Sequence, residues 1–273
     1  MKYNSLLDYL GETRLSVEHE FSVKNLFRIA RSKIPIEAEK ILLSLKKLDL
    51  SAFPESKKFL MDAFFLQFFS QLEELNLNYQ IISNYDDLKC LKNLRILSIK
   101  GHNLKKLGEI SNFLCLHELH LDENNFSDVS ELNSLKNLKI LTLKKNKIRK
   151  ICELSQLVNI EELDISDNDI SDIMPLKNLQ SLKKLSANKN ILDNLEPLAK
   201  SRSLSTLLLA ENQISEIDFI QNLNNLTKLD LRNNRIRNVR VLKDLRNLFE
   251  LGLSGNPLYD DDYDLFPRSL KID

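Results

Sequence analysis

The sequence holds 273 residues, long enough for one sizeable core or for an array of repeats that never builds a single central one. Its 39 Lys and Arg balance 39 Asp and Glu, so no global field draws it to nucleic acid, an anionic membrane or an acidic substrate, which leaves room only for a local patch. With five glycines there is little material for a phosphate-cradling loop, and no apolar run approaches membrane-spanning length, so neither membrane insertion nor a small-molecule cofactor is expected.

The opening stretch MKYNSLLDYL has one Lys and an apolar run cut by Asp8, which does not read as a secretory signal. Cys90, Cys115 and Cys152 are scattered without close pairs. The expectation is a cytoplasmic protein, or one delivered into a host cell by a route that needs no N-terminal signal.

Helical patterns follow around Val23, Leu26, Phe27 and Ala30, and again from Pro35 through Ile41, Leu42 and Leu45, where Pro suits a first helical turn. Residues 1–44 are therefore expected to form an N-terminal helical cap. An irregular repeat starts at Leu45, with Leu48 and Leu50 in strand slots, and runs for 27 residues. Its length predicts a true helix from Pro54, and Phe59, Phe64, Phe65, Phe68 and Phe69 are expected to plug the open end of the core.

From Leu72 the chain comes into register with itself every 22 residues, with repeats starting at Leu72, Leu94, Leu116, Leu138, Ile160, Leu182, Leu204, Leu226 and Leu248. Each reads L-x-x-L-x-L-x-x-N-x-I, as in Leu138, Leu141, Leu143, Asn146 and Ile148. The L-x-L alternation puts both leucines on one face of a short strand. Later apolar slots fall three apart, as in Ile151, Leu154 and Leu157, a spacing that suits a 3₁₀ turn. Each repeat is one coil that buries its leucines only against its neighbours. The coil from Leu182 departs from the pattern, with Ala187 and Ser201 in bulky apolar slots, and a thinner core is expected there.

The asparagine slot holds Asn124, Asn146, Asn168, Asn190, Asn212, Asn234 and Asn256, preceded by Gln80 and His102. An amide both donates and accepts, so a buried ladder of them would satisfy backbone groups where the chain leaves the strand. Neutral histidine keeps that dual capacity, which makes His102 a structural residue in this reading rather than a catalytic one.

These features resemble the leucine-rich-repeat family, in its 22-residue class with the repeat regions of bacterial internalins and the leucine-rich regulatory subunit of type-1 protein phosphatase. The resemblance implies an α/β right-handed solenoid with a parallel concave sheet, a 3₁₀ or irregular convex side and an N-terminal helical cap, the repeats filling residues 45–255. Asn256, Pro257, Pro267, Leu270 and Asp273 are similar to a shortened form of the C-terminal cap that follows many such repeats, which assigns residues 256–273 to it.

No nucleophile has an evident His partner, so no catalytic residue is assigned and no enzyme is expected. His117, Glu118, His120 and Asp122 come nearest to a metal motif. Their histidines lie three apart on a strand, which tends to send them to opposite faces, and no metal is expected.

Function is therefore expected on the exposed strand slots, where stacking makes a continuous concave surface for a protein partner. Charges alternate in sign along it, which suits docking to one protein surface and not a phosphate backbone. The candidate contacts are Ile96, Glu118, His120, Ile140, Asp164, Leu208, Asp230, Arg232 and Phe249, four of them apolar where the pattern points to solvent. The expected function is a non-catalytic interaction module or scaffold. The alternative is a bacterial effector or adaptor inside a host cell, with residues 34–45 resembling a degenerate F-box helix that brings substrates to a ubiquitin ligase.

Overall fold

The structure, a computed structural model, describes residues 3–12, 16–52, 60–82, 84–267 and 269–273. Helices α1 (Leu6–Gly11), α2 (Val17–Ala30) and α3 (Pro35–Leu43) lead the chain. Serines cap the first two: Ser5 Oγ accepts from the Asp8 N–H and Ser16 Oγ from the His19 N–H, while Pro35 opens the third. On α2 the buried residues His19, Ser22, Val23, Leu26 and Ala30 follow helical spacing.

Strands β1 (Lys47–Asp49), β2 (Leu60–Met61), β3 (Glu74–Asn76), β4 (Ile81–Ile82), β5 (Ile96–Ser98), β6 (Glu118–His120), β7 (Ile140–Thr142), β8 (Glu162–Asp164), β9 (Lys184–Ser186), β10 (Thr206–Leu208), β11 (Lys228–Asp230), β12 (Glu250–Gly252) and β13 (Lys271–Ile272) follow. Among the described residues, all but β2 and β4 form one parallel sheet of 11 strands in chain order, and β2 pairs with β4 separately. From β3 to β12 each residue pairs with the one 22 positions later, as Ile96 with Glu118 and Glu118 with Ile140. The first step is longer, Lys47 pairing with Glu74, and the last is one residue shorter, Glu250 pairing with Lys271. That last pairing seats the C-terminal residues as an edge strand, after a short helix α4 (Asp260–Tyr263).

Opposite the sheet the chain makes 3₁₀ turns such as Cys152–Gln156 and Arg240–Asp244. The middle strand leucines, Leu97, Leu119, Leu141 and Leu163 among them, are buried together with the turn leucines Leu132, Leu154 and Leu176 in one continuous core. Burying each such side chain contributes about 1.5 to 3 kcal/mol, which a lone coil with open faces could not collect. In the coil from Leu182 both Ala187 and Ser201 are buried, the turn shortens to Glu196–Leu198, and the Ser201 hydroxyl has no hydrogen-bond partner among the described residues.

Asp62 ties the N-terminal helices to the first coil through its carboxylate and its backbone carbonyl. Asp62 accepts from the Tyr9 hydroxyl at 3.1 Å and from the Phe64 N–H at 2.9 Å, while its backbone carbonyl accepts from Ser22 Oγ at 2.9 Å. Tyr9 is fully buried and stacks on His19, and burial first, then the Asp62 charge, push its phenol well above the usual range. Phe65 and Phe69 are buried in the core, Phe64 and Phe68 pack partly against it, and the Tyr9 ring of α1 lies 5.7 Å from that of Phe65. Phe59 and Pro54, where a helix was expected to start, lie outside the described residues; after β1 the described elements of that coil are β2 and a 3₁₀ turn, Phe64–Phe68.

Candidate functional site

The asparagine slot forms a buried ladder. Asn168 Nδ2 donates to the carbonyls of Leu143, Ile165 and Ser166 at 3.0 to 3.1 Å, and its Oδ1 accepts from the Ile148 N–H at 3.0 Å. Asn124, Asn146, Asn190, Asn212, Asn234 and Asn256 repeat the reach to the carbonyl 25 residues back. His102 makes the same bond from Nε2 to Leu77 O at 2.6 Å, and a ring that donates there leaves Nδ1 to accept from the Tyr85 hydroxyl, also at 2.6 Å. Burial pushes the Tyr85 phenol up to about 12. Gln80 Nε2 reaches Leu50 O across the longer first coil. The residue before each ladder position turns left-handed, from Tyr79 (φ 61) to Gly255 (φ 76), bringing the amide under the strand end.

A second amide column went unread in the sequence. Asn93, Asn137, Asn159, Asn225 and Asn247 each donate to the carbonyl 23 residues back, at 2.8 to 2.9 Å, just ahead of the strands. Its signal was present as a K-N-L or similar triplet at the same 22-residue period.

On the concave face, Ile96, Glu118 and Ile140 stand side by side on β5, β6 and β7, all partly exposed. His120 lies next along β6, its Nδ1 3.2 Å from Thr142 Oγ1 and its Nε2 4.0 Å from Glu118 Oε2. Burial, then the Lys100 charge, hold the imidazole below its ordinary value against the pull of Asp122 and Glu118, which favours the neutral ring. Lys100 is paired with Asp122 at 2.7 Å. Flanking lysines and glutamates pair from strand to strand: Lys184 with Glu162 at 2.7 Å, Lys228 with Glu250 at 3.0 Å, and Glu161 between Lys139 at 3.4 Å and Lys183 at 2.5 Å. The sign alternation is thus spent largely within the sheet. Glu118, with isoleucines as its neighbours in that column, meets no Lys or Arg among the described residues.

Asp164 is partly exposed in the middle of the face, and its Oδ1 accepts from the Ser166 N–H at 2.9 Å, turning the chain off β8. Leu208, Asp230 and Arg232 form a second group, lining a cleft of about 350 Å³ near the C-terminal end. Asp230 is only 9% exposed and grips Arg232 by two bonds, Nε to Oδ1 at 2.9 Å and Nη2 to Oδ2 at 2.7 Å. Arg232 Nη1 reaches Asp273 at 2.7 Å. These two candidates are engaged with each other and with the closing strand. Phe249 lies apart, one residue before β12, with 68% of its surface exposed. His117 and His120 both keep some exposure, and no cluster suited to a metal occurs among the described residues.

Residues 202–258 match the family model described as Leucine rich repeat. No curated protein sequence matches the chain. Among solved structures, it is similar to an internalin (InlF) of Listeria monocytogenes at 24% identity and TM-score 0.66, over 89% of this chain and 84% of that one. Internalin C2 of the same species matches at 28% identity and TM-score 0.67, over 76% and 91%. The ectodomain of a plant membrane receptor kinase from Arabidopsis thaliana, solved in complex with CASPARIAN STRIP INTEGRITY FACTOR 2, matches at 23% identity and TM-score 0.60, over 82% and 31%. With an unbroken period of 22 residues, one parallel sheet and 3₁₀ turns behind it, the chain is a leucine-rich-repeat solenoid, similar to the repeat regions of internalins.

Proposed function

We propose that this solenoid is a protein-binding module whose concave face takes a partner segment carrying a cation flanked by aliphatic side chains. The observation behind this reading is Glu118, a carboxylate without a Lys or Arg partner among the described residues, set between Ile96 and Ile140 on neighbouring strands. Two strand spacings separate the isoleucines by about 10 Å, a gap that seats one long side chain. An apolar pair around a charge lets the partner desolvate its contact, which is how a few central residues come to dominate an interface. The receptor ectodomain of the same fold, bound to its factor, supports the reading by analogy. The test is a pull-down with the full chain, followed by calorimetry on the captured partner. Ile96→Asp/Ile140→Asp, at positions outside the buried core, is expected to keep its circular dichroism spectrum and to bind at least tenfold more weakly, about 1.4 kcal/mol. A folded double variant with wild-type affinity would place the interface elsewhere.

A further inference from the structure

The N-terminal helices carry a basic patch on this otherwise neutral chain. Residues 21–36 contain Lys24, Arg28, Arg31 and Lys33 and no acidic residue. Lys24, Arg28 and Arg31 follow one another at helical spacing on α2 and its cap, so they share a face. Lys24 is paired with Glu20 at 2.6 Å on the exposed surface, whereas no ion pair among the described residues engages Arg28, Arg31 or Lys33. With Phe27 and Ser32 these cations line an open cleft of about 630 Å³. Beyond its rim, on either side of Pro35, Ile34 and Ile36 are 54% and 69% exposed.

Each feature alone is ordinary, but cations directly followed by bare isoleucines at one turn between helices are not. An acidic protein segment seated in the cleft would meet the cations and leave the isoleucines in water, since neither lines it. A lipid surface meets both, its phosphates and carboxylates facing the cations while the isoleucines enter the interfacial layer. We propose that the turn between α2 and α3 makes a peripheral contact with anionic membrane lipid. The contact is separate from the concave face and needs no membrane-spanning helix, of which there is none among the described residues.

The test is co-sedimentation of the full chain with two kinds of vesicle, phosphatidylcholine alone and phosphatidylcholine with a third of the lipid replaced by phosphatidylserine. The chain is expected to bind the anionic vesicles, to ignore the neutral ones and to come off as salt is raised. Arg31→Gln/Lys33→Gln should bind about 25-fold more weakly, about fivefold for each lost cation, and Ile34→Ser/Ile36→Ser about tenfold more weakly. All four positions are exposed, so both variants should melt with the wild type. Ile96→Asp/Ile140→Asp should bind vesicles as the wild type does, which keeps this test distinct from that of the concave face. Equal binding to both vesicles, no binding to either, or variants that bind like the wild type would overturn the proposal. So would capture of a polyglutamate peptide, lost in the same variants, by a chain that ignores vesicles, because the patch would then serve an acidic protein segment.

Discussion

Tyr79 lies across Gly101 and brings its hydroxyl to 3.4 Å from Glu123 Oε1, so one side chain ties together three successive coils. A Cβ on Gly101 would collide with Cδ1 and Cε1 of the tyrosine ring. The left-handed turn adds some strain to any side chain here, but Glu123, Lys145 and Asp167 tolerate the same turn in the coils that follow, so the ring contact is the feature particular to Gly101. Gly101→Ala should therefore destabilise the protein by about 1 to 3 kcal/mol through overpacking. Tyr79→Ala/Gly101→Ala should lose most of that added cost, so a double-mutant cycle in urea reads the coupling directly. Additive effects would mean the ring swings away freely.

Asn168→Leu should cost about 1 to 3 kcal/mol, since it strands the buried Ile148 N–H and takes one of two donors from each of the Leu143, Ile165 and Ser166 carbonyls. Asn159→Ala, in the second amide column, should cost under about 1 kcal/mol because its single bond to Lys136 O is exposed to water. Urea midpoints of the two variants decide the order. If Asn159→Ala proved the more damaging, the edge column would be the main tie between coils.

The contrast also marks what the sequence made legible. Period, strand leucines and ladder were readable because every coil solves one packing problem with one residue type, and even His102 keeps the bond because its Nε2 reaches the same carbonyl. The second column is harder to read because Cys115, Ser181 and Ser203 interrupt it, although Asn93 and Asn137 carry its period. Strand β13 was out of reach, since two residues show no alternation. The closure of Asp230 on Arg232 depends on a neighbour's missing atom: a Cβ on Gly252 would lie 2.7 Å from Asp230 Oδ1 and 3.0 Å from Arg232 Cγ. Ile96, Glu118 and Ile140 could be placed by register alone, whereas the ion pairs that occupy the charges around them required side-chain geometry.

His120 should titrate below an ordinary histidine, because burial first and Lys100 second oppose its proton. The unfolded chain takes up that proton near pH 6.5 and the folded one only at lower pH. Over that window the unfolded state binds more protons, so stability should fall as the pH drops below about 6.5 and level off once the folded ring is charged. Ring-proton NMR locates the transition, and His120→Gln should remove this part of the pH dependence of the urea midpoint. An identical dependence in the variant would show that another histidine carries it.

Arg232 holds the C-terminal end shut. Its guanidinium satisfies both oxygens of the buried Asp230 and reaches Asp273, whose N–H donates to Leu251 O and whose carbonyl accepts from Leu253 and Ser254. Replacing it by Met leaves the aliphatic stem but strands the Asp230 carboxylate, a loss that would cost about 3 to 5 kcal/mol in a dry core. The Arg232 side chain is 41% exposed, so water reaches the site and the expected cost drops to about 1 to 2 kcal/mol. The loss should be local at first. In hydrogen exchange the Lys271 and Asp273 amides, bonded to Phe249 O and Leu251 O at 3.1 Å, should lose protection while those of β6 to β9 keep theirs. Asp230→Asn/Arg232→Met, which removes the stranded charge but keeps an acceptor for the Arg232 N–H, should recover part of the midpoint without restoring β13. If protection at Lys271 and Asp273 survives in Arg232→Met, the last strand is held by its backbone pairing alone and the clasp is only a surface ion pair.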